Sequence, residues 1–281
     1  MSLTDVGINF ISKKFKDPDN IISSAIDYGI EIMIAITNNH SDIYKNMQLC
    51  RKYKQVYCTV GVHPHNAKGL NQFRFNKLDK IIVDAKRNNF HPCKIVAIGE
   101  CGLDYDRYFS KEEDQKFWFE KQLELAIKHK IPVYLHCRDA HTDFFQIINT
   151  MSKNNNDYFR GRAIVHCFTA GWVELKDYLD AGYYVGITGW ITDDRRNHKL
   201  VNALKTAMKS ELYSKLLLSS IMVETDSPWL YPRNIQGKSS YKYNVPENVS
   251  YVIEELAILL NLSEKTITQL TFTNCKKLFN V

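Results

Sequence analysis

Ile95-Val96-Ala97-Ile98-Gly99-Glu100 is a short apolar run that ends on a carboxylate, and the design recurs four more times along the chain. The other stretches are Val60-Gly61-Val62-His63-Pro64-His65, Pro132-Val133-Tyr134-Leu135-His136, Ala163-Ile164-Val165-His166 and Ile221-Met222-Val223-Glu224-Thr225-Asp226. Apolar runs of this length read as buried parallel strands. In a closed α/β barrel the side chains at the C-terminal strand ends converge on one face. Glu100, His136, His166 and Asp226 would then meet around one point. Carboxylate and neutral imidazole are the ligand types of a hard or borderline divalent cation: Mg²⁺, Mn²⁺ or Zn²⁺. The residues alone therefore predict a metal-dependent hydrolase.

Outward from these runs, eight segments read as strands: Thr4–Asn9, Ile30–Ile36, Gln55–Val60, Lys94–Ile98, Pro132–His136, Arg162–His166, Tyr183–Ile187 and Ser219–Val223. Helical patterns separate them, which is the βα alternation of a TIM-type (β/α)8 barrel. Asp17-Pro18 starts one helix, with Ile22, Ala25 and Ile26 on one face and Gly29 as its stop. Phe119, Leu123, Ala126 and Ile127 mark another apolar stripe. Val249, Ile253, Leu256 and Leu260 mark the last barrel helix after Pro246-Glu247, and a closing helix is predicted from about Ser263 to Phe279. No composition shift separates two halves, so residues 1–281 are expected to form one domain. Asn154-Asn155-Asn156 reads as a tolerated loop insertion.

The chain has 281 residues and 44% hydrophobic content, ample for a large core. No apolar run approaches the ~20 residues that span a bilayer. The first residues, Met1 to Asp5, carry no basic flank or apolar stretch of a secretory signal. An intracellular protein, cytoplasmic or nuclear, is expected, and a monomer. The formal charge of +6 fits a polyanionic partner. Seven cysteines without a CxxC pair argue against a disulfide framework. Cys101, Cys137 and Cys167 directly follow Glu100, His136 and His166. Strand alternation points each of them away from its neighbour, under the helices.

The segment from Ser227 to Pro246 differs from the other connections. It follows the eighth strand and holds Trp229, Tyr231, Arg233, Lys238, Tyr241, Lys242 and Tyr243. Cations take phosphates and rings stack on bases, so this mixture suits a strand of nucleic acid. At the end of the eighth strand, Asp226 can bind metal and accept the proton of an attacking water. Pro228 prevents the strand from continuing.

Taken together, Gly61-Val62-His63-Pro64-His65, Ile98-Gly99-Glu100-Cys101-Gly102-Leu103-Asp104, His136-Cys137-Arg138-Asp139-Ala140-His141, His166-Cys167-Phe168-Thr169 and Glu224-Thr225-Asp226-Ser227-Pro228 resemble the ordered motif set of the TatD family of metal-dependent DNases. Gly186-Ile187-Thr188-Gly189-Trp190 extends the match. The resemblance implies a metallo-hydrolase barrel, one or two divalent ions, and cleavage of DNA phosphodiesters, with exonuclease action from the 3′ end. Carried over by motif, Glu100, His136, His166 and Asp226 are the metal ligands, and Glu100 and Asp226 the catalytic carboxylates. His63 and His65 line the site, Arg138 is a phosphate contact, and Trp190 and Arg233 join the substrate surface. The first strand reads Asp5-Val6-Gly7-Ile8-Asn9, without the His-x-His of many relatives, so Asp5 and Asn9 are the candidates to support a second ion. Tyr243-Asn244-Val245-Pro246 stands where relatives often have Arg-Asn-Glu-Pro, which leaves Arg195, Arg233 or Lys242 to replace that arginine.

Two other readings use the same residues. A small-molecule hydrolase of the amidohydrolase kind, acting on an ester, lactone or amide, would be served by the same Glu/His/His/Asp set. The missing first-strand histidines and the basic-aromatic loop count against it. A nucleic-acid-binding relative without metal is disfavoured by the intact ligand set, because such groups are costly to bury without a role.

Overall fold

The computed structural model describes residues 2–87, 94–235 and 242–281. Eight strands lie in one sheet in the order of the chain. They are β1 (Leu3–Ile8), β2 (Ile30–Ala35), β3 (Val56–Val60), β4 (Ile95–Asp104), β5 (Val133–Arg138), β6 (Ala163–Val165), β7 (Tyr184–Ile187) and β8 (Ile221–Val223). Ile8 bridges in parallel to Ser227, just beyond β8, which ties the first strand to the last. This is the (β/α)8 barrel that the alternating pattern predicts.

The helices are α1 (Pro18–Tyr28), α2 (Ile43–Lys52), α3 (Gln72–Arg87), α4 (Glu112–His129), α5 (His141–Lys153), α6 (Trp172–Asp180), α7 (His198–Met208), α8 (Glu211–Leu218), α9 (Val249–Leu260) and α10 (Glu264–Phe279). Their ends follow local chemistry. The Asp17 carboxylate accepts from the Asn20 amide at the start of α1, and Gly29 closes that helix at φ +106°. Ser263 caps α10 through the Thr266 amide. Val249, Ile253, Leu256 and Leu260 are all buried along α9, as their spacing predicts. Among the described residues, no helix is long and apolar enough to cross a membrane.

The chain divides into two compact units, residues 1–34 with 166–281, and residues 35–165. The second contains β3, β4, β5 and β6. There β4 extends six residues beyond the predicted Ile98 end, to Asp104. Its register against β5 shifts between Gly99 and Cys101, after which Gly102 pairs with His136 and Asp104 with Arg138. Gly99 sits at φ +145°, and a Cβ there would lie 2.1 Å from the Tyr134 carbonyl oxygen. Only glycine fits that approach of two backbones. In the first unit, Gly186 on β7 plays a similar part: a Cβ would stand 2.5 Å from the Glu224 carboxylate.

Candidate metal centre and nucleic-acid surface

In the unit of residues 35–165, five polar side chains gather beyond the ends of β3, β4 and β5. His63 precedes a short 3-10 turn that begins at Pro64. Its Nδ1 accepts the backbone N–H of His65 at 3.0 Å. A neutral ring then carries its proton on Nε2, which faces Glu100 Oε1 at 3.4 Å. Burial lowers the His63 pKa to about 4, so the ring is neutral near pH 7. His63 is thus a hydrogen-bond donor that orients Glu100.

His136 makes two short contacts with carboxylates: Nδ1 lies 2.9 Å from Glu100 Oε1, and Nε2 lies 3.0 Å from Asp104 Oδ2. His65 Nε2 approaches the same Asp104 oxygen at 2.8 Å. Although burial opposes ionisation, contacts with His136 and His65 hold the Asp104 carboxyl far below its usual range. A neutral imidazole has one N–H. One of the two contacts of neutral His136 therefore sets two acceptors against each other, unless a proton or a cation lies between them. His63, Glu100 and His136 offer ligand atoms within 4.8 Å of one another. The donor set fits a divalent metal, with Glu100 and His136 the better ligands and His63 the orienting donor.

This geometry is held from behind by amide groups. Gln115 and Gln122, both buried on α4 and seven residues apart, clamp the two backbones that flank the cluster. Gln115 accepts from the Asp104 N–H at 2.8 Å and donates to the Asp104 carbonyl at 3.0 Å. Gln122 accepts from the Val62 N–H at 2.7 Å and donates to the Val62 carbonyl at 3.2 Å. The Glu100 amide donates to the Thr37 carbonyl, and Asn46 donates to Ile36 O and Thr37 Oγ1. Asp104 ends the Ile98–Asp104 motif, and nothing in the sequence marks its pairing with His65 and His136. The glutamines had only their i, i+7 spacing as a signal.

The unit of residues 1–34 and 166–281 has its own polar group. Asn9 Nδ2 donates to Asp226 Oδ1 at 2.8 Å, and the Asp226 amide donates to the Gly7 carbonyl. Asp226 itself lies at φ +51°. His166 Nδ1 lies 3.5 Å from Glu224 Oε1, a fully buried carboxylate that also accepts from the Cys167 N–H. Asp5, a candidate support for a second ion, is occupied otherwise. Its carboxylate accepts from the Thr225 N–H and hydroxyl at 2.9 and 2.5 Å and from the Gly7 N–H at 3.2 Å. Burial raises its pKa well above the usual carboxylate value. It holds the β8 exit in place. Asn244, buried in the segment after β8, donates to the carbonyls of Thr225 and Leu230.

The cysteines beside the ligands do not enter the candidate metal group among the described residues. Burial raises the Cys101 thiol pKa strongly and that of Cys167 to about 12, so neither presents a thiolate near neutral pH.

Cationic and aromatic groups lie on the loops. Arg138, at the end of β5, is half-exposed and pairs with Asp106 at 3.0 Å. Trp190, Arg196, Tyr231 and Arg233 line a cavity of about 460 Å³. The Arg196 guanidinium stacks over the Trp190 ring at 3.8 Å. The Trp190 indole N–H is buried, with no hydrogen-bond partner among the described residues. Asp193 gathers three arginines: Arg195 at 2.7 Å, Arg196 at 2.9 Å and Arg233 at 3.8 Å. Trp229 is exposed, with the Lys14 ammonium 3.9 Å from its ring centre. Lys238 and Tyr241 lie outside the described residues.

Residues 4–280 match the model of the TatD related DNase family. A 3'-5' ssDNA/RNA exonuclease TatD from Salmonella typhimurium is 33% identical over 278 residues, covering 99% of this chain and 98% of the relative. The protein of that name from Escherichia coli K12 is 32% identical with the same coverage. Among solved structures, the TatD homologue YJJV from Escherichia coli aligns with a TM-score of 0.80 at 25% identity, over 99% of this chain and 98% of that one. A TatD family hydrolase from Entamoeba histolytica, 22% identical, shares the fold with a TM-score of 0.82 over the same shares. With the motifs in order and the match running from end to end, the chain belongs to the TatD related DNase family.

Proposed function

We propose that this protein is a metal-dependent 3′–5′ exonuclease that hydrolyses phosphodiester bonds of single-stranded DNA. The observation that carries the reading is the buried cluster of His63, Glu100, Asp104 and His136, whose facing acceptors call for a cation. Family membership and the names of the full-length relatives give the substrate class and polarity.

Glu100 and His136 would hold a divalent ion, and by their motifs His166 and Asp226 would serve as metal ligands. When bound, the ion would lower the pKa of a water and polarise the phosphodiester. The chain's own groups do the rest. His63 donates from Nε2 to Glu100 and fixes its carboxylate. Asp104 fixes His65 and His136 through one oxygen. Asp226, with one oxygen bonded to the Asn9 amide, accepts the proton of the attacking water. The Trp190–Arg196 stack and Arg233 line a cavity suited to a base and its phosphate. Arg138 is the phosphate contact at the end of β5. We place this activity inside the cell, where free cysteines persist.

The test is Asp226→Asn, which keeps the size and an oxygen ligand but removes basicity. With Mg²⁺, Mn²⁺ or Zn²⁺ restored in turn to metal-stripped protein, end-labelled single-stranded DNA should be shortened from its 3′ end. The variant should lose at least about a hundredfold in rate, the scale of general-base help. DNA binding should persist, because the phosphate contacts lie on other residues. If the unmutated protein leaves DNA intact but hydrolyses simple esters or lactones in an Asp226-dependent way, the nuclease reading fails in favour of a small-molecule hydrolase.

A further inference from the structure

A second cavity, of about 310 Å³, lies beside the β2–α2 loop, and the proposed reaction makes no use of it. That size is at the lower end of small-ligand sites, roughly 300–1,000 Å³. Its wall includes His40, Asn66 and Arg74, with Val62 next to His63 of the polar cluster. The His63 amide donates to the Asn38 carbonyl at 2.9 Å, so the loop that carries His40 is tied to the cluster by its backbone.

His40 Nε2 is buried, with no hydrogen-bond partner among the described residues. An enclosed ring nitrogen left without a partner is costly, so it marks a place where a ligand atom is expected. Burial, and after it the charges of Lys77 and Arg74, lower the His40 pKa. Arg74 and Lys77 both belong to α3. Both are exposed. Arg74 donates to the Gly69 carbonyl through Nη1 and reaches the cavity wall. Asp42, the carboxylate of the loop, accepts from Asn39 at 2.6 Å and from Ser41 at 3.3 Å and is not part of the wall. Arg74 on the cavity wall, the enclosed His40 Nε2 beside it and Lys77 on the same helix together suit an oxyanion.

We propose that this cavity is a phosphate subsite, which holds a backbone phosphate of the bound strand other than the one being cleaved. Arg74 and Lys77 supply the counter-charge, and the His40 ring supplies the inner hydrogen bond. The proposal rests on the nuclease reading of the neighbouring cluster and adds to it a determinant of substrate length.

The double variant Arg74→Ala/Lys77→Ala changes two exposed residues and should fold as the parent does. Kinetics would be measured on single-stranded oligonucleotides of increasing length and on bis(4-nitrophenyl) phosphate, a diester too small to reach both sites. On long oligonucleotides KM should rise about tenfold with kcat unchanged, while the small diester is hydrolysed as before. The slope of log KM against log salt should fall by roughly 0.7, the loss of one neutralised phosphate on a single strand. His40→Leu should raise KM in the same direction without lowering stability. Unchanged KM at every length and an unchanged slope would overturn the subsite while leaving the nuclease reading intact. Independently of cleavage, inorganic phosphate titrated into metal-free protein should shift the His40 ring resonances, and the double variant should abolish the shift. Absence of any shift in the parent protein would also count against the subsite.

Discussion

A single backbone amide decides the chemistry of His63. Because the His65 N–H occupies Nδ1, the neutral ring donates from Nε2 to Glu100. Its consequence can be measured through pH. In the unfolded chain the imidazole titrates near 6.5, whereas burial brings the folded value to about 4. As pH falls through this window the unfolded state takes up its proton first, so stability is lost between 6.5 and 4 and is fully present above 6.5. The urea midpoint of metal-free protein should fall from pH 7 to pH 4, with His63 contributing up to about 3 kcal/mol of the change. His63→Gln should flatten the profile in that window. An equally steep profile in the variant would assign the loss to other groups. The sequence offered His63 as a candidate residue of the site. It could not show the tautomer, which depends on how the chain turns at Pro64.

At the scale of elements, β4 and α4 build the cluster together. The apolar run Ile95 to Ile98 announced the strand, but not its continuation to Asp104. The continuation depends on the shifted register against β5, a pairing that no local pattern in β4 reveals. Gly99 was visible as the residue before Glu100. The close approach of Tyr134 that demands it was not. Gln115 and Gln122 read as ordinary polar helix positions, yet both are buried against backbone groups of other segments. Gln122→Ala should leave the Val62 N–H and carbonyl buried without these partners and destabilise the fold by about 2–4 kcal/mol. Gln122→Glu keeps the acceptor for the Val62 N–H but loses the donor, and should fall between the two in chemical denaturation. If the alanine variant matches the parent, water replaces the amide and the clamp has no structural weight.

For the whole molecule, metal and stability should be linked. A cation that binds only the folded chain stabilises it by about 2.7 kcal/mol at a hundredfold excess over Kd. The Tm of metal-stripped protein should therefore rise on adding Mn²⁺ or Zn²⁺, and Glu100→Ala should abolish the rise. An undiminished rise in that variant would place the ion elsewhere. The sequence by itself determined the (β/α)8 architecture, because buried apolar runs alternating with helical stripes are local properties that recur along the chain. It also marked Glu100, His136, His166 and Asp226, since each ends an apolar run. Only the tertiary structure decided what these groups touch. It set both His136 nitrogens against carboxylates, gave Asp5 to Thr225 instead of an ion, and gathered three arginines around Asp193. Those contacts join residues distant in sequence or on turns with no repeating pattern. Their chemistry is fixed by distances of about 3 Å, a scale on which residue order carries no information until the chain has folded.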